Sequence, residues 1–243
     1  MKRSVVAIFV LCLTTAGWAS ATAEPHATWS RWLKLVPEAL DVGPNDTVVV
    51  AGSTTDSYPG GYLVLRGIRP DGSLAWASRW RPSDSRARAA DVAVTSSGVY
   101  AVGVLAPVTA PDPCWEIGSF GWFVRKADAW GDTVWVRSDP DWADCGSRAS
   151  RAVAAGAGLV VLATTLYIEG YPDIHGNLRA YGAGGSLRWW NPFEPLPRGE
   201  PEGYDADAVA ALAVGPDGTT YAAGWAWRPP YEGGVARTTP RRH

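Results

Sequence analysis

Ala211-Leu-Ala-Val-Gly-Pro-Asp-Gly-Thr-Thr-Tyr-Ala-Ala-Gly224 writes a strand, a tight turn and a second strand in one continuous phrase. Pro216 presets φ for the turn, and Gly218 takes φ > 0 without steric cost. Two β-rich runs around such a pair predict a hairpin. The phrase has three earlier copies: Leu40 to Gly52, Val92 to Gly103 and Val153 to Thr164. Their closing residues, with Gly224, stand 51, 61 and 60 residues apart.

A second half-unit follows each first one. Gly61 to Trp76 carries Pro70-Asp71-Gly72 and closes on Trp; Gly121 to Trp135 and Gly176 to Trp189 repeat it. A fourth, Gly233 to Pro240, carries only its first strand. Two hairpins per unit predict a four-stranded antiparallel sheet, with strands a and b in the first half and c and d in the second. Such sheets recurring every 50–60 residues are the pattern of propeller blades. The expected fold is all-β: a propeller of about four antiparallel blades at 38–80, 90–139, 151–190 and 208–240, each with strand a nearest the axis. Residues 29–35 are expected to supply the missing last strand, because Ser30-Arg31-Trp32 repeats Ser78-Arg79-Trp80. That pairing would close the ring and remove an exposed sheet edge. The other reading is a truncated piece of a larger propeller. The phrase Ala-Val-x-x-x-Gly-x-x-Tyr-Ala-x-Gly followed by Asp-Gly-Ser-Leu-x-Trp resembles bacterial repeat proteins of the seven-bladed β-propeller repeat (SBBP) type. The likeness spans residues 38–236 loosely and implies architecture rather than activity.

Composition bounds the function classes. The chain has 243 residues, 47% of them hydrophobic and 19% charged, enough apolar content for a packed core. A net charge of −2 provides no basic face for nucleic acid. Residues 1–23 read as an export signal: Lys2 and Arg3, then an apolar run too short to span a bilayer, then Ala21-Thr22-Ala23 or Ala19-Ser20-Ala21 as the cleavage site. An uncleaved anchor is the alternative. The mature domain is then 24–243, periplasmic, extracellular or on the cell surface, with no later membrane span. Export leaves Cys114 and Cys145, which are expected to form one disulfide.

Short a–b and c–d turns against long b–c and d–a connections put the irregular chain on one face, where scaffold-held loops carry function. That face offers Tyr58, Trp115, Trp142, Tyr171, Trp225, Trp227 and Tyr231 as ligand-binding aromatics. Flat rings stack on sugars or on Pro-rich peptide at low entropy cost; a roof over the core is the plainer role for any one of them. Trp76, Trp135 and Trp189 recur in register and are read as packing. Asp139, Asp141 and Asp144 lack the Gly and distal Glu of an EF-hand loop. Glu200, Glu202, Asp205 and Asp207 are an acidic run read as solvated. No Gly-x-Ser-x-Gly elbow, CxxC pair or phosphate loop is present, and His175 is the lone histidine within the repeats. No catalytic residue, metal or cofactor is therefore assigned. The expected function is an exported, non-enzymatic binding or scaffold module taking a glycan, peptide or protein on the long-loop face. The alternative is a glycoside hydrolase or lyase using paired acids in the funnel.

Overall fold

The computed structural model describes residues 30, 33–54, 61–108, 121–139, 147–168, 171–193, 206–227 and 232–238, with the backbone alone at the outer ends of the later strands. Every element among them is a strand. The first blade runs β1 (Val36–Val42), β2 (Val48–Ser53), β3 (Leu63–Ile68) and β4 (Leu74–Trp80), antiparallel and in sequence order. The second is β5 (Ser85–Thr95), β6 (Gly98–Pro107), β7 (Gly121–Ala127) and β8 (Thr133–Asp139). The third is β9 (Ser147–Gly156), β10 (Leu159–Ile168), β11 (Tyr171–Gly182) and β12 (Leu187–Phe193). The fourth has three strands, β13 (Ala206–Val214), β14 (Thr220–Trp227) and β15 (Glu232–Thr238), tied to the third through a parallel pairing of Ile174 with Ala206.

Local chemistry explains the repeat. The turn of the opening phrase forms as read: Gly215 N–H donates to Thr219 O at 2.8 Å, Gly218 N–H to Gly215 O at 3.0 Å, and Gly218 has φ 81°. The same five-residue loop recurs at 69–73, 128–132 and 182–186, with Gly72, Gly131 and Gly185 at φ 80°, 88° and 81°. A left-handed residue closing a type I turn is the three-residue hairpin loop. In Gly43–Thr47, Asp46 takes that place at φ 54°.

Each strand a carries a β-bulge at one register, at Glu38, Ala90, Arg151 and Ala210. The residue of strand b opposite the start of the bulge is Gly52, Gly103, Thr164 or Gly224. A Cβ on Gly52 would collide with Val36 O, and one on Gly103 with Arg88 O. In the first two blades the glycine that ends the repeated phrase is thus set by the close approach of strand a.

The core lies between blades. β1 packs on β5, β5 on β9 and β9 on β13, so strand a is innermost throughout, as expected. Val49, Ala51, Leu63 and Leu65 meet Ala87, Ala89, Val92 and Phe123 between the first two blades. Val102, Trp122 and Val124 meet Val153, Leu162 and Tyr181 between the next two. Ala163 and Leu178 meet Val209 and Ala222 at the last. Each fully buried Val, Leu or Phe contributes about 1.5–3 kcal/mol.

A second device joins blades at their outer strands. The c–d turn of one blade sits on the strand-d Trp of the blade before it. A Cβ on Gly131 would lie 2.7 Å from the Trp76 ring, and one on Gly185 2.9 Å from Trp135. Trp135 Nε1–H donates to Ala183 O at 2.9 Å and Arg137 to Gly185 O at 2.8 Å. Arg125, 1% exposed, donates to Gly131 O, Thr133 Oγ1 and, across the blade boundary, Ser78 Oγ. Burial pulls its pKa down to about 10, against the pull of Asp132 and Asp128, so it stays charged at neutral pH.

One expectation lies largely outside the described residues and one is corrected. Residues 29, 31 and 32 of the expected closing strand are outside them, and among the described residues β15 ends its sheet. Leu33 and Leu35 cover Val48, Val50, Val64 and Ile68 on the first blade, an apolar face that rewards their burial. The long-connection face is also less irregular than expected. The b–c connection of the third blade, expected to be long, is tight, β10 reaching Ile168 and β11 starting at Tyr171, and β5 starts at Ser85 while β6 runs to Pro107. Ladder pairing continues there because paired amides satisfy groups a loop would leave to solvent.

Candidate functional site

The tight turns build a concavity among the described residues. It is a groove of about 610 Å³ between the first two blades, on the face opposite the long connections. Gly43, Pro44, Asn45 and Thr47 with Arg69 and Pro70 form one wall; Thr95, Ser96, Ser97 and Gly98 with Asp128, Ala129 and Trp130 form the other. Val49, Ala75, Trp76, Val94 and Val99 supply apolar lining. The walls are hairpin turns, so their positions are fixed by the ladders beneath them.

Trp130 is 72% exposed, the most exposed large apolar side chain among the described residues. Its backbone is held, not loose: Asp128 Oδ1 accepts from Trp130 N–H at 2.8 Å and from Asp132 N–H at 2.9 Å. Hydroxyls line the same wall. Thr95 Oγ1 lies 2.9 Å from Ser97 Oγ, which lies 2.9 Å from Tyr100 Oη. Arg69 is braced by Ser73 Oγ and Leu74 O at 3.2 and 3.1 Å. The groove thus offers one flat ring, an apolar floor, hydroxyls and an amide, with one cation and one anion. Such a lining suits a neutral, polyhydroxylated ligand with an apolar face.

The inner strands place two carboxylates near each other, Asp41 and Asp91. Asp41 Oδ1 accepts from Val42 N–H at 2.8 Å and Oδ2 from Val94 N–H at 2.6 Å. Asp91 Oδ1 accepts from Val92 N–H and Oδ2 from Val153 N–H, both at 2.8 Å. Each spans a blade boundary. Burial raises the Asp91 pKa above the ordinary carboxylate value, the hydrogen bonds oppose this, and the charge of Asp41 adds to it. All four oxygens serve as acceptors for backbone, which is a structural duty.

Of the expected ligand-binding aromatics, Tyr58, Trp115, Trp142 and Tyr231 lie outside the described residues, as do Cys114 and Cys145. Tyr171, Trp225 and Trp227 are in strands β11 and β14 rather than loops, with side chains outside the described residues. Asp141, Asp144, Glu200, Glu202 and Asp205 also lie outside, and the side chains of His175 and Asp207 are likewise not described. No group of three His, Cys, Asp or Glu comes together to hold a metal among the described residues. No described helix is long and apolar enough to cross a membrane. Trp76 and Trp135 pack, as expected, and Trp76 also lines the groove. Trp130 was missed. Its signal was present as a break in the repeat: Ala129-Trp130-Gly131 stands where the first blade has Pro70-Asp71-Gly72.

No protein-family model matches the chain, and no curated protein matches it. Among solved structures it is similar to a protein of unknown function from Bacteroides caccae, at 11% identity and a TM-score of 0.41, over 74% of this chain and 51% of that one. It is also similar to Kluyvelomyces marxianus Hsv2, at 9% identity and a TM-score of 0.27, over 86% of this chain and 76% of that one. The chain spans about half the length of the first of these structures.

Proposed function

We propose that this chain is an exported, non-enzymatic binding module of SBBP-like propeller repeats that holds a neutral oligosaccharide in the groove between its first two blades. The observation that carries the reading is Trp130, a ring kept in solvent on a backbone-braced turn beside a hydroxyl-lined wall. An aromatic left exposed at a rigid concavity costs solubility and supplies contact area, the usual bargain of a binding surface. The glycosidase alternative needs two carboxyls free to face substrate. Asp41 and Asp91 have their oxygens engaged by amides, which favours the binding reading. Export rests on residues 1–23, and the Cys114–Cys145 disulfide accompanies it; thiol titration of denatured, unreduced protein then finds no free thiol.

The test is a glycan array run beside a peptide array, followed by titration of the best hit. Trp130→Ala is expected to weaken that hit at least tenfold with thermal stability unchanged. Equal binding by the variant, or hits confined to peptides, overturns the assignment.

A further inference from the structure

The groove opens where two side chains that fill the next blade boundary are replaced by smaller ones. Tyr100 of β6 pairs with Lys126 of β7, and Lys126 with Trp135 of β8. The same register in the first blade holds Val49, Gly67 and Trp76. Between the second and third blades Tyr100 and Lys126 are buried, and Lys126 Nζ lies 5.5 Å from the Tyr100 ring. Lys126 Nζ and Trp135 Nε1 both donate to Ala183 O, at 3.2 and 2.9 Å. That boundary is plugged. Between the first two blades Val49 and Gly67 leave the space that the plug would fill, and Val49 and Trp76 line it.

Without the plug, a donor and an acceptor stay unused. Ala129 holds the place of Ala183, because turn 128–132 sits on Trp76 as turn 182–186 sits on Trp135. Ala129 O accepts no hydrogen bond among the described residues, and Trp76 Nε1 donates none. Gly67 is the cause of the second. A Cβ there would collide with Trp76 Nε1 and Cε2, so the pyrrole edge of the indole rests on β3 while Cε3 and Cζ3 meet Gly131. Trp135 is turned the other way, meeting its turn through Cδ2, Cγ and Nε1. Trp122 Nε1 and Trp189 Nε1 are sealed from solvent, whereas Trp76 Nε1 keeps access to it. The N–H and the carbonyl that close on each other at the second boundary are therefore parted at the first.

We propose, resting on the oligosaccharide reading, that the sugar held beside Trp130 carries an N-acetyl group and that this group bridges Ala129 O and Trp76 Nε1. An acetamido N–H is the donor that Ala129 O lacks. Its carbonyl is the acceptor that the indole N–H lacks. Its methyl group suits the apolar lining of Val49, Val94 and Val99. A hydroxyl at the same carbon brings donor and acceptor on one atom and no methyl. A free ammonium, the group that Lys126 presents, brings donors only and leaves the indole N–H unmet. The acetamido group is also uncharged, in keeping with a groove that offers one cation and one anion. Trp76, Val49 and Gly67 are then the residues that set specificity, and Trp130 the one that supplies the stacking surface.

Calorimetric titration with three tetramers of one β-linkage tests this: those of glucose, glucosamine and N-acetylglucosamine. The N-acetylglucosamine tetramer is expected to bind about tenfold tighter than the glucose tetramer, the worth of two modest hydrogen bonds. Trp76→Phe keeps a ring and removes the N–H, and is expected to shrink that ratio severalfold, which a merely structural role would not do. Val49→Tyr with Gly67→Lys rebuilds the plug and is expected to abolish binding; circular dichroism checks its fold, and Trp76→Phe decides if it does not fold. Equal binding of the glucose and N-acetylglucosamine tetramers, both weakened by Trp130→Ala, overturns the acetamido assignment and leaves the oligosaccharide reading standing. Binding of none of the three overturns the assignment, and the oligosaccharide reading then rests on the glycan array. Tightest binding of the glucosamine tetramer overturns it, because an ammonium then takes the place of Lys126. So does a preference that Trp76→Phe leaves intact.

Discussion

At the scale of single residues, backbone conformation and buried charge decide the outcome. Ala157 and Gly158 both take positive φ, 49° and 75°, in the two-residue turn between β9 and β10. That is the demand of a type I′ turn, which Asn-Gly meets best. An alanine there carries roughly 1 kcal/mol of strain. Ala157→Asn is expected to raise unfolding stability by about 0.5–1 kcal/mol in a denaturant titration. Asp91 has the opposite character, since its cost is built into an interface. An amide oxygen can accept from only one of the Val92 and Val153 N–H groups, and the amide nitrogen faces the other. Asp91→Asn is expected to cost about 1–3 kcal/mol. The folded pKa of Asp91 is raised, so its ionisation removes stability as pH rises from the ordinary carboxylate value through the folded one. The deficit of the variant is therefore largest in acid and shrinks across that window, which urea titrations at several pH values will read. Loss of the deficit with falling pH would contradict the sign.

Elements are held in register by bulges below and by turns seated on tryptophan above. Gly131 combines φ 88° with a Cβ position 2.7 Å from the Trp76 ring. Gly131→Ala is expected to cost about 2–4 kcal/mol through left-handed strain and overpacking together. Gly184 sits in the equivalent turn of the third blade with nothing within 4 Å of its Cβ. Gly184→Ala is expected to stay within about 0.5 kcal/mol of wild type. Equal thermal shifts for the two would show that the turn–tryptophan contact carries no energy.

Over the whole molecule, the main contacts among the described residues join consecutive blades, so local stability is set by how many faces are covered. β6 and β7 are buried on both sides, whereas β15 ends its sheet among the described residues and Leu40 and Val42 of β1 are exposed. Native-state hydrogen exchange is expected to be slowest in β6 and β7 and fastest in β15 and β1, by at least tenfold. Uniform protection across the four blades would mean one cooperative unit rather than an array.

Architecture was legible in the chain because it is written in local code. Gly72, Gly131, Gly185 and Gly218 mark turns whose geometry depends on a few adjacent residues, and the alternation around them sets strands and blade count. The tryptophans at 76, 135 and 189 were readable as packing because they recur at one register. The closing glycines were visible as a motif, but their cause, a bulged strand a pressing on strand b, is a contact between strands. Where the strands would stop was not readable, since ladder pairing beyond Ile168 and Tyr171 depends on a partner rather than on propensity. The binding groove was invisible for the same reason. Its walls come from the turns of two blades about 50 residues apart, and the value of Trp130 lies in facing the first blade's turns across that gap. Sequence alone determined the fold class and the repeat, through turn chemistry and periodicity. Tertiary structure decided which face is concave and which acids are spent on backbone, because each depends on distances between residues far apart in the chain.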